Sequence, residues 1–168
     1  MNALAAAQDK MRSVGLPEQA IDVFTAFYHQ LEEGASGLIP ESEVEPLEDV
    51  ASIHSLDYDT ETLRRAAAET VVIKLNGGLG TTMGMQQAKS LLPIKHRLSF
   101  LDLIVDQVWH VRPTLGVDLP LLFMNSFRTR DDTLEALSHY PELKVGDLPL
   151  DFLQNREPKL RADTLAPV

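Results

Sequence analysis

The sequence predicts an α/β protein: a helical N-terminal segment followed by the start of a mostly parallel sheet. Three observations predict it. Ile21, Phe24, Phe27, Tyr28 and Leu31 fall on one face at helical spacing. At residue 70 the pattern changes, and the short β-branched run Val71-Val72-Ile73-Lys74-Leu75 leads straight into a glycine cluster. Beyond it, strand-like runs alternate with helix-like ones, the order of right-handed crossovers in a parallel sheet.

The elements follow in order. Residues 1–69 read as mostly helical, with Pro17 where a first helical turn tolerates proline and with Gly34 and Gly37 ending that helix. Ile39–Asp49, with Pro40, Pro46 and five acids, reads as a solvated connector. Asp59 or Thr60 caps a short helix through Ala68. After the first strand, Ser99 caps a helix, with Asp102 three residues on in a capping-box arrangement. Phe100, Leu103, Ile104, Val108 and Val111 are its expected apolar face. Leu119–Met124 is a second strand, and Thr129 with Asp132 caps another helix to about Ser138. Leu143–Val145 and Leu150–Leu153 are weaker strand candidates.

Composition bounds the function. Hydrophobic residues at 44% and charged ones at 24% fit an ordinary soluble globular domain, and 168 residues suffice for one real core. No run approaches the roughly 20 apolar residues of a membrane helix, so no membrane partner is expected. Met1–Lys10 lacks a basic stretch before its apolar run, which argues against a secretory signal, and the absence of cysteine fits the cytoplasm. Zero cysteines also excludes a disulfide framework and a thiolate metal site. The net charge of −10 argues against nucleic acid as partner. Its distribution is uneven: residues 1–70 carry 4 basic and 14 acidic side chains, 71–112 carry 5 and 2, and 113–168 carry 6 and 9. The only positive segment holds the glycines, which suits a small polyanion.

That segment, Lys74–Gly84, reads KLNGGLGTTMG. A strand ends in glycines, which let the backbone approach a ligand closely. Successive N–H groups in such a turn form an anion-binding concavity, Thr81 and Thr82 add hydroxyls, and Lys89 follows within reach of a phosphate chain. Two familiar phosphate loops fail on spacing. With Lys89-Ser90 as the lysine–serine pair, a P-loop needs glycine where Met83 and Ala88 stand. From Gly78 and Gly80, the dinucleotide turn needs its third glycine at 83, and it comes at Gly84.

The loop, followed by Ala88-Lys89-Ser90, resembles the nucleotide loop of the UTP–glucose-1-phosphate uridylyltransferase family. Pro120–Thr129, PLLFMNSFRT, is similar to that family's second nucleotide-binding strand and following loop. Phe152–Leu160, FLQNREPKL, resembles its uracil-reading segment, and the acidic IPESEVEPLEDV upstream resembles its linker. Many relatives have Gly-Pro where this chain has Gln87-Ala88. The resemblance implies a Rossmann-like nucleotide-diphospho-sugar transferase fold of GT-A type. Residues 1–69 would be the helical segment and acidic linker, and 70–168 the incomplete N-terminal part of the catalytic domain.

By position, the resemblance implies that Leu75, Gly77 and Gly78 lie near the nucleoside. The Gly80, Thr81 and Thr82 backbone would face the phosphates, and Lys89 would contact the triphosphate as the catalytic cation. The Met124 backbone and the Gln154 side chain would read uracil. A glutamine amide offers both C=O and NH₂, so it matches N3–H and O4 of uracil and mismatches cytosine. The implied reaction joins UTP and glucose 1-phosphate into UDP-glucose and pyrophosphate, with Mg²⁺ held by ligands outside this chain. On this view 168 residues carry half a site, and they are expected not to turn over alone. An enzyme acting on an N-acetylhexosamine 1-phosphate, a non-catalytic nucleotide-binding module and a helical interaction domain remain alternatives, and the sequence does not fix the oligomeric state. The five histidines show no metal-ligand spacing. Trp109, Phe24, Phe27 and Tyr28 read as packing, Lys95 and Arg97 as a solvated turn before Ser99, and Asn125 and Ser126 as residues that help to shape a base pocket.

Overall fold

The computed structural model describes residues 2–168; Met1 lies outside them. The chain forms two compact units, Met1–Val50 with Asn155–Val168, and Ala51–Gln154. The change of sequence pattern at residue 70 therefore falls inside the second unit, and the C-terminal segment groups with the first helices.

In the first unit, helix α1 spans Ala3–Ser13 and helix α2 spans Glu18–Glu32. The Asn2 side chain caps α1 by accepting from the Leu4 N–H at 3.0 Å. Pro17 stands one position before α2, where its missing N–H costs nothing. Ala7 and Met11 pack on Ile21, Phe24 and Tyr28, with Leu160 and Leu165 closing the cluster. The expected face of α2 is thus narrower than its periodicity suggests. Phe27 is 62% exposed and Leu31 also faces outward. Burial follows the 21, 24, 28 stripe, and Phe27 and Leu31 lie at the edge of the apolar arc, beyond what α1 covers. Past Gly34 and Gly37, both at positive φ, the acidic connector is exposed throughout, and one 3₁₀ turn at Glu41–Glu43 interrupts its irregular path.

The second unit begins with helix α3, Thr60–Ala68, whose cap is Asp59 accepting from the Thr62 N–H at 2.6 Å. Strands β1 (Val72–Asn76), β4 (Leu121–Asn125) and β5 (Asp151–Leu153) form a parallel sheet in the order β1-β4-β5. Strands β2 (Pro93–Lys95) and β3 (Leu98–Ser99) make a small antiparallel hairpin. Its turn uses His96 and Arg97 at φ 54 and 67, the left-handed pair a two-residue hairpin turn requires.

Helix α4, Phe100–Leu115, and helix α5, Arg130–Leu137, supply the cover. Leu101, Val105 and Val108 of α4 and Leu137 of α5 pack with Leu121 and Phe123 of β4. Trp109 stacks edge-on against Tyr140 at 5.3 Å, a packing role. Phe100 and Leu103, expected on the buried face of α4, point outward instead. The capping box at Ser99 and Asp102 forms as expected. Thr129 stands at the N-cap of α5 but makes no capping bond, because its hydroxyl accepts from the Ser126 N–H at 3.0 Å and donates to Asn76 O at 2.7 Å. Leu143–Val145 is not a strand: Pro141–Leu143 is a 3₁₀ turn that drives Leu143 into the core.

Register pairs Val72 with Leu121 and Lys74 with Phe123, so alternate residues share the helix-covered face. Ile73, Leu75 and Phe152 lie on the opposite face and are exposed, Leu75 at 65%.

Candidate functional site

The carboxyl ends of the three strands meet at one place, the usual position for a ligand in an open parallel sheet. Asn76 ends β1 on the same rung as Asn125, which ends β4. One residue past β5, the Gln154 N–H donates to Asn125 O at 2.7 Å. The Gln154 side chain then lies against the backbone of Gly77. A methyl group on Gly77 would stand 2.2 Å from Gln154 Oε1 and 3.2 Å from its Cδ. Glycine is needed at 77 for this close approach, not for a special φ. Residues 77 positions apart in sequence are thereby in direct contact.

The glycine loop closes on itself. Leu79 bridges Ala88 in antiparallel fashion, with Gly80 N–H donating to Gln87 O at 3.2 Å and Lys89 N–H to Gly78 O at 3.0 Å. Ala88 is fully buried in this pairing. Thr81–Met83 then makes one 3₁₀ turn, ended by Gly84 at φ 72. The Gly80 N–H, expected from the sequence to be turned to phosphate, is thus engaged inside the loop. Among the described residues, the N–H groups of Gly77, Gly78, Leu79, Thr81 and Thr82 have no acceptor, and all but that of Leu79 belong to residues the sequence placed at the nucleotide.

Met124 also differs from expectation. Phe123 N–H donates to Leu150 O and Asn125 O accepts from Gln154, both toward β5, whereas Val72 N–H donates to Pro120 O. Strand alternation therefore turns the Met124 peptide groups toward β1, into the ladder. What Met124 presents is its half-buried side chain, on a rung between Leu75 and Phe152.

Beside β1, Lys74, Leu75, Asn76, Gly78, Lys89 and Ser90 help to line a cavity of 670 Å³. Lys89 is exposed, and the buried Ser90 hydroxyl has no hydrogen-bond partner among the described residues. The cavity wall thus combines two cations with an unused hydroxyl.

Beneath the strand ends lies a buried polar network that the sequence reading did not assemble. Asn76 Nδ2 donates to Asn125 Oδ1 and to Thr133 Oγ1, each at 2.8 Å. Asn125 Nδ2 donates to Asp151 Oδ2 at 3.3 Å, and Arg130 Nε donates to the same oxygen at 2.7 Å. The hydrogen bond and charge of Asp151 raise the Arg130 pKa above its ordinary value. Of these residues only Asn125 carried a sequence signal, its place at a strand end. Asn76 is hidden within the glycine motif, and Asp151 reads like any of 25 acids.

Comparison with known proteins now decides the relationship. The family model for UTP–glucose-1-phosphate uridylyltransferase matches residues 21–168. The chain belongs to that family. It is 41% identical over 113 residues to the uridylyltransferase of Solanum tuberosum, covering 67% of this chain and 23% of that protein. It is 34% identical over 166 residues to a probable uridylyltransferase of Schizosaccharomyces pombe, covering 96% of this chain and 32% of that one. Among solved structures, the L281D mutant of the Leishmania major UDP-glucose pyrophosphorylase, in complex with UDP-glucose, superposes with a TM-score of 0.87 at 36% identity, covering 99% of this chain and 34% of that one. The UDP-glucose phosphorylase of Trypanosoma brucei gives 0.82 at 36% identity, with 99% and 36% covered. The chain therefore spans about a third or less of these relatives' length. Among the described residues no helix is long and apolar enough to cross a membrane.

Proposed function

We propose that this chain holds UTP for a uridylyltransferase reaction with glucose 1-phosphate. The observation that carries the reading is the contact of Gln154 with Gly77 at the strand ends, beside a loop with unused N–H donors. Uracil would stack over Gly77 and Gly78, with Leu75 and the Met124 side chain at its flank and the Gln154 amide on its N3–H and O4. The Thr81 and Thr82 N–H groups and hydroxyls would meet the phosphates, and Lys89 would neutralise their charge.

In the reaction, a phosphate oxygen of glucose 1-phosphate attacks the α-phosphorus, and the bond to the departing pyrophosphate breaks. The nucleophile is already anionic, so positioning and charge neutralisation suffice, and no general base is needed. Magnesium, when bound, adds neutralisation on the phosphates. Among the described residues no three of His, Asp or Glu come together to hold it, so no step is assigned to it through these side chains. The UDP-glucose bound by the Leishmania enzyme supports the choice of base and sugar class.

Thermal shifts with UTP, CTP and ATP test the reading. Saturation at a hundredfold excess over Kd stabilises a fold by about 2.7 kcal/mol. The expected result is stabilisation by UTP above CTP and ATP, lost in Gln154→Ala, with no pyrophosphate released by the chain alone. Equal responses to all three nucleotides would remove the uracil assignment.

A further inference from the structure

The network under the strand ends is tied to both walls of the Gly77–Gln154 contact. On one side the Thr129 hydroxyl donates to Asn76 O, the carbonyl of the peptide that joins Asn76 to Gly77, at 2.7 Å. On the other, Asn125 O holds the Gln154 N–H. Asn125 is completely buried between them. Its amide orientation is not free. A carboxylate is acceptor-only, so Asp151 must face Asn125 Nδ2, which leaves Asn125 Oδ1 toward Asn76. Asn76 must then present its Nδ2, whose second hydrogen goes to Thr133 Oγ1. Thr133 in turn donates to Thr129 O at 2.5 Å. Arg130 clamps Asp151 with two bonds, at 2.7 and 3.3 Å. The ion pair therefore sets the sense of every donor along the chain, in a dry region where an unmatched group is costly.

We propose that Asn125, oriented by the Asp151–Arg130 pair, is a positioning residue that fixes the spacing of Gly77 and Gln154 and so sets selectivity for uracil over cytosine. It touches no substrate atom; it acts through the backbone on either side of the base. The proposal rests on the uracil reading of Gln154 and adds to it the residues that hold the reader in place. Selectivity between these bases depends on two hydrogen bonds meeting together, which tolerates little displacement of the glutamine.

Charge placement gives a test. Asn125→Asp sets two carboxylates against each other across the 3.3 Å contact. The paired exchange, Asn125→Asp with Asp151→Asn, again sets a donor against an acceptor between the two residues and keeps a carbonyl for the second Arg130 bond, while Arg130 Nε loses the oxygen it shared with Asn125, so that the recovery is partial. Affinities for UTP and CTP would be measured by calorimetry on the full chain. The expected result is a fall of about tenfold in the UTP-to-CTP ratio for Asn125→Asp, recovered to within about threefold in the paired exchange. Thr133→Val, a near-isosteric change that removes the Asn76 acceptor together with the Thr133 hydroxyl's own bond to Thr129 O, a carbonyl that keeps the Thr133 N–H, should lower the ratio by about threefold, and it carries the comparison if the carboxylate variant does not fold. Loss of UTP and CTP binding in equal proportion would assign the network a merely structural role and overturn the proposal. So would an unchanged ratio in variants of a parent that prefers UTP. A parent with no preference would remove the uracil reading itself, and the proposal with it.

Discussion

A methyl group added at residue 77 would collide with the end of a flexible glutamine side chain, not with backbone. Gly77 has no positive φ to lose, so alanine fits its backbone there. Gly77→Ala should therefore leave the fold intact and push Gln154 aside. The expected outcome is a melting temperature close to the parent's, with UTP affinity down by about tenfold or more by calorimetry. Equal loss of stability and of binding would mean that the residue matters for the turn alone. At this scale the sequence names residues, and the structure shows which of their atoms are already engaged. Gly80 was legible as a loop glycine, yet its N–H is taken by Gln87 O. Met124 was legible as a strand residue, yet its peptide groups belong to the ladder. Which hydrogen bonds are already spent depends on pairings between distant residues, and motif spacing does not carry that.

Element boundaries were legible where the signal is local. Asp59 and the Ser99–Asp102 box cap their helices through bonds within three residues. Where a long-range partner competes, the local rule fails, as for Thr129, whose hydroxyl reaches back to Asn76. Apolar periodicity likewise marks an arc on a helix, but the partner decides how much is covered. Phe27 on α2 and Phe100 on α4 are therefore exposed. The α4 cap has a pH signature. Burial works against the Asp102 charge, but bonds from the Ser99 N–H, the Tyr140 hydroxyl and the Ser99 hydroxyl outweigh it and hold the carboxyl below its ordinary range. Burial first, and then the bond to Asp102, push the Tyr140 phenol up to about 12. Because the folded pKa of Asp102 is depressed, its contribution is complete above the unfolded value near 4 and is lost as pH falls through the lower folded value. Asp102→Asn should cost about 1 kcal/mol in urea melts at pH 7, and the difference from the parent should vanish toward pH 2. A difference that persists unchanged into acid would assign the effect to packing instead.

At the scale of the whole molecule, the sheet has one covered face and one open one. Ile73, Leu75 and Phe152 make the open face apolar, and among the described residues no strand pairs with the outer edge of β1. An apolar face beside an unpaired edge favours self-association. Ile73→Lys, at a position already 48% exposed, should reduce dye binding and the light-scattering mass at high concentration, with stability changed by less than about 1 kcal/mol. Unchanged association would locate the sticky surface elsewhere. That β1, β4 and β5 run parallel was legible because strands alternated with helical runs. The buried network was not, because Asn76, Asn125, Arg130, Thr133 and Asp151 meet only once three strands and a helix have assembled.

The strand ends and the glycine loop are proposed to form a uracil-selective nucleotide site. Amide NMR of the labelled chain, titrated with UTP and then with CTP, tests it most directly. The Gly77, Gly78, Thr81 and Thr82 N–H signals and the Gln154 side-chain NH₂ pair should move with UTP, and the Gln154 pair should stay in place with CTP. Shifts that leave these signals in place and appear in the helical unit, or a Gln154 response identical for the two nucleotides, would contradict it.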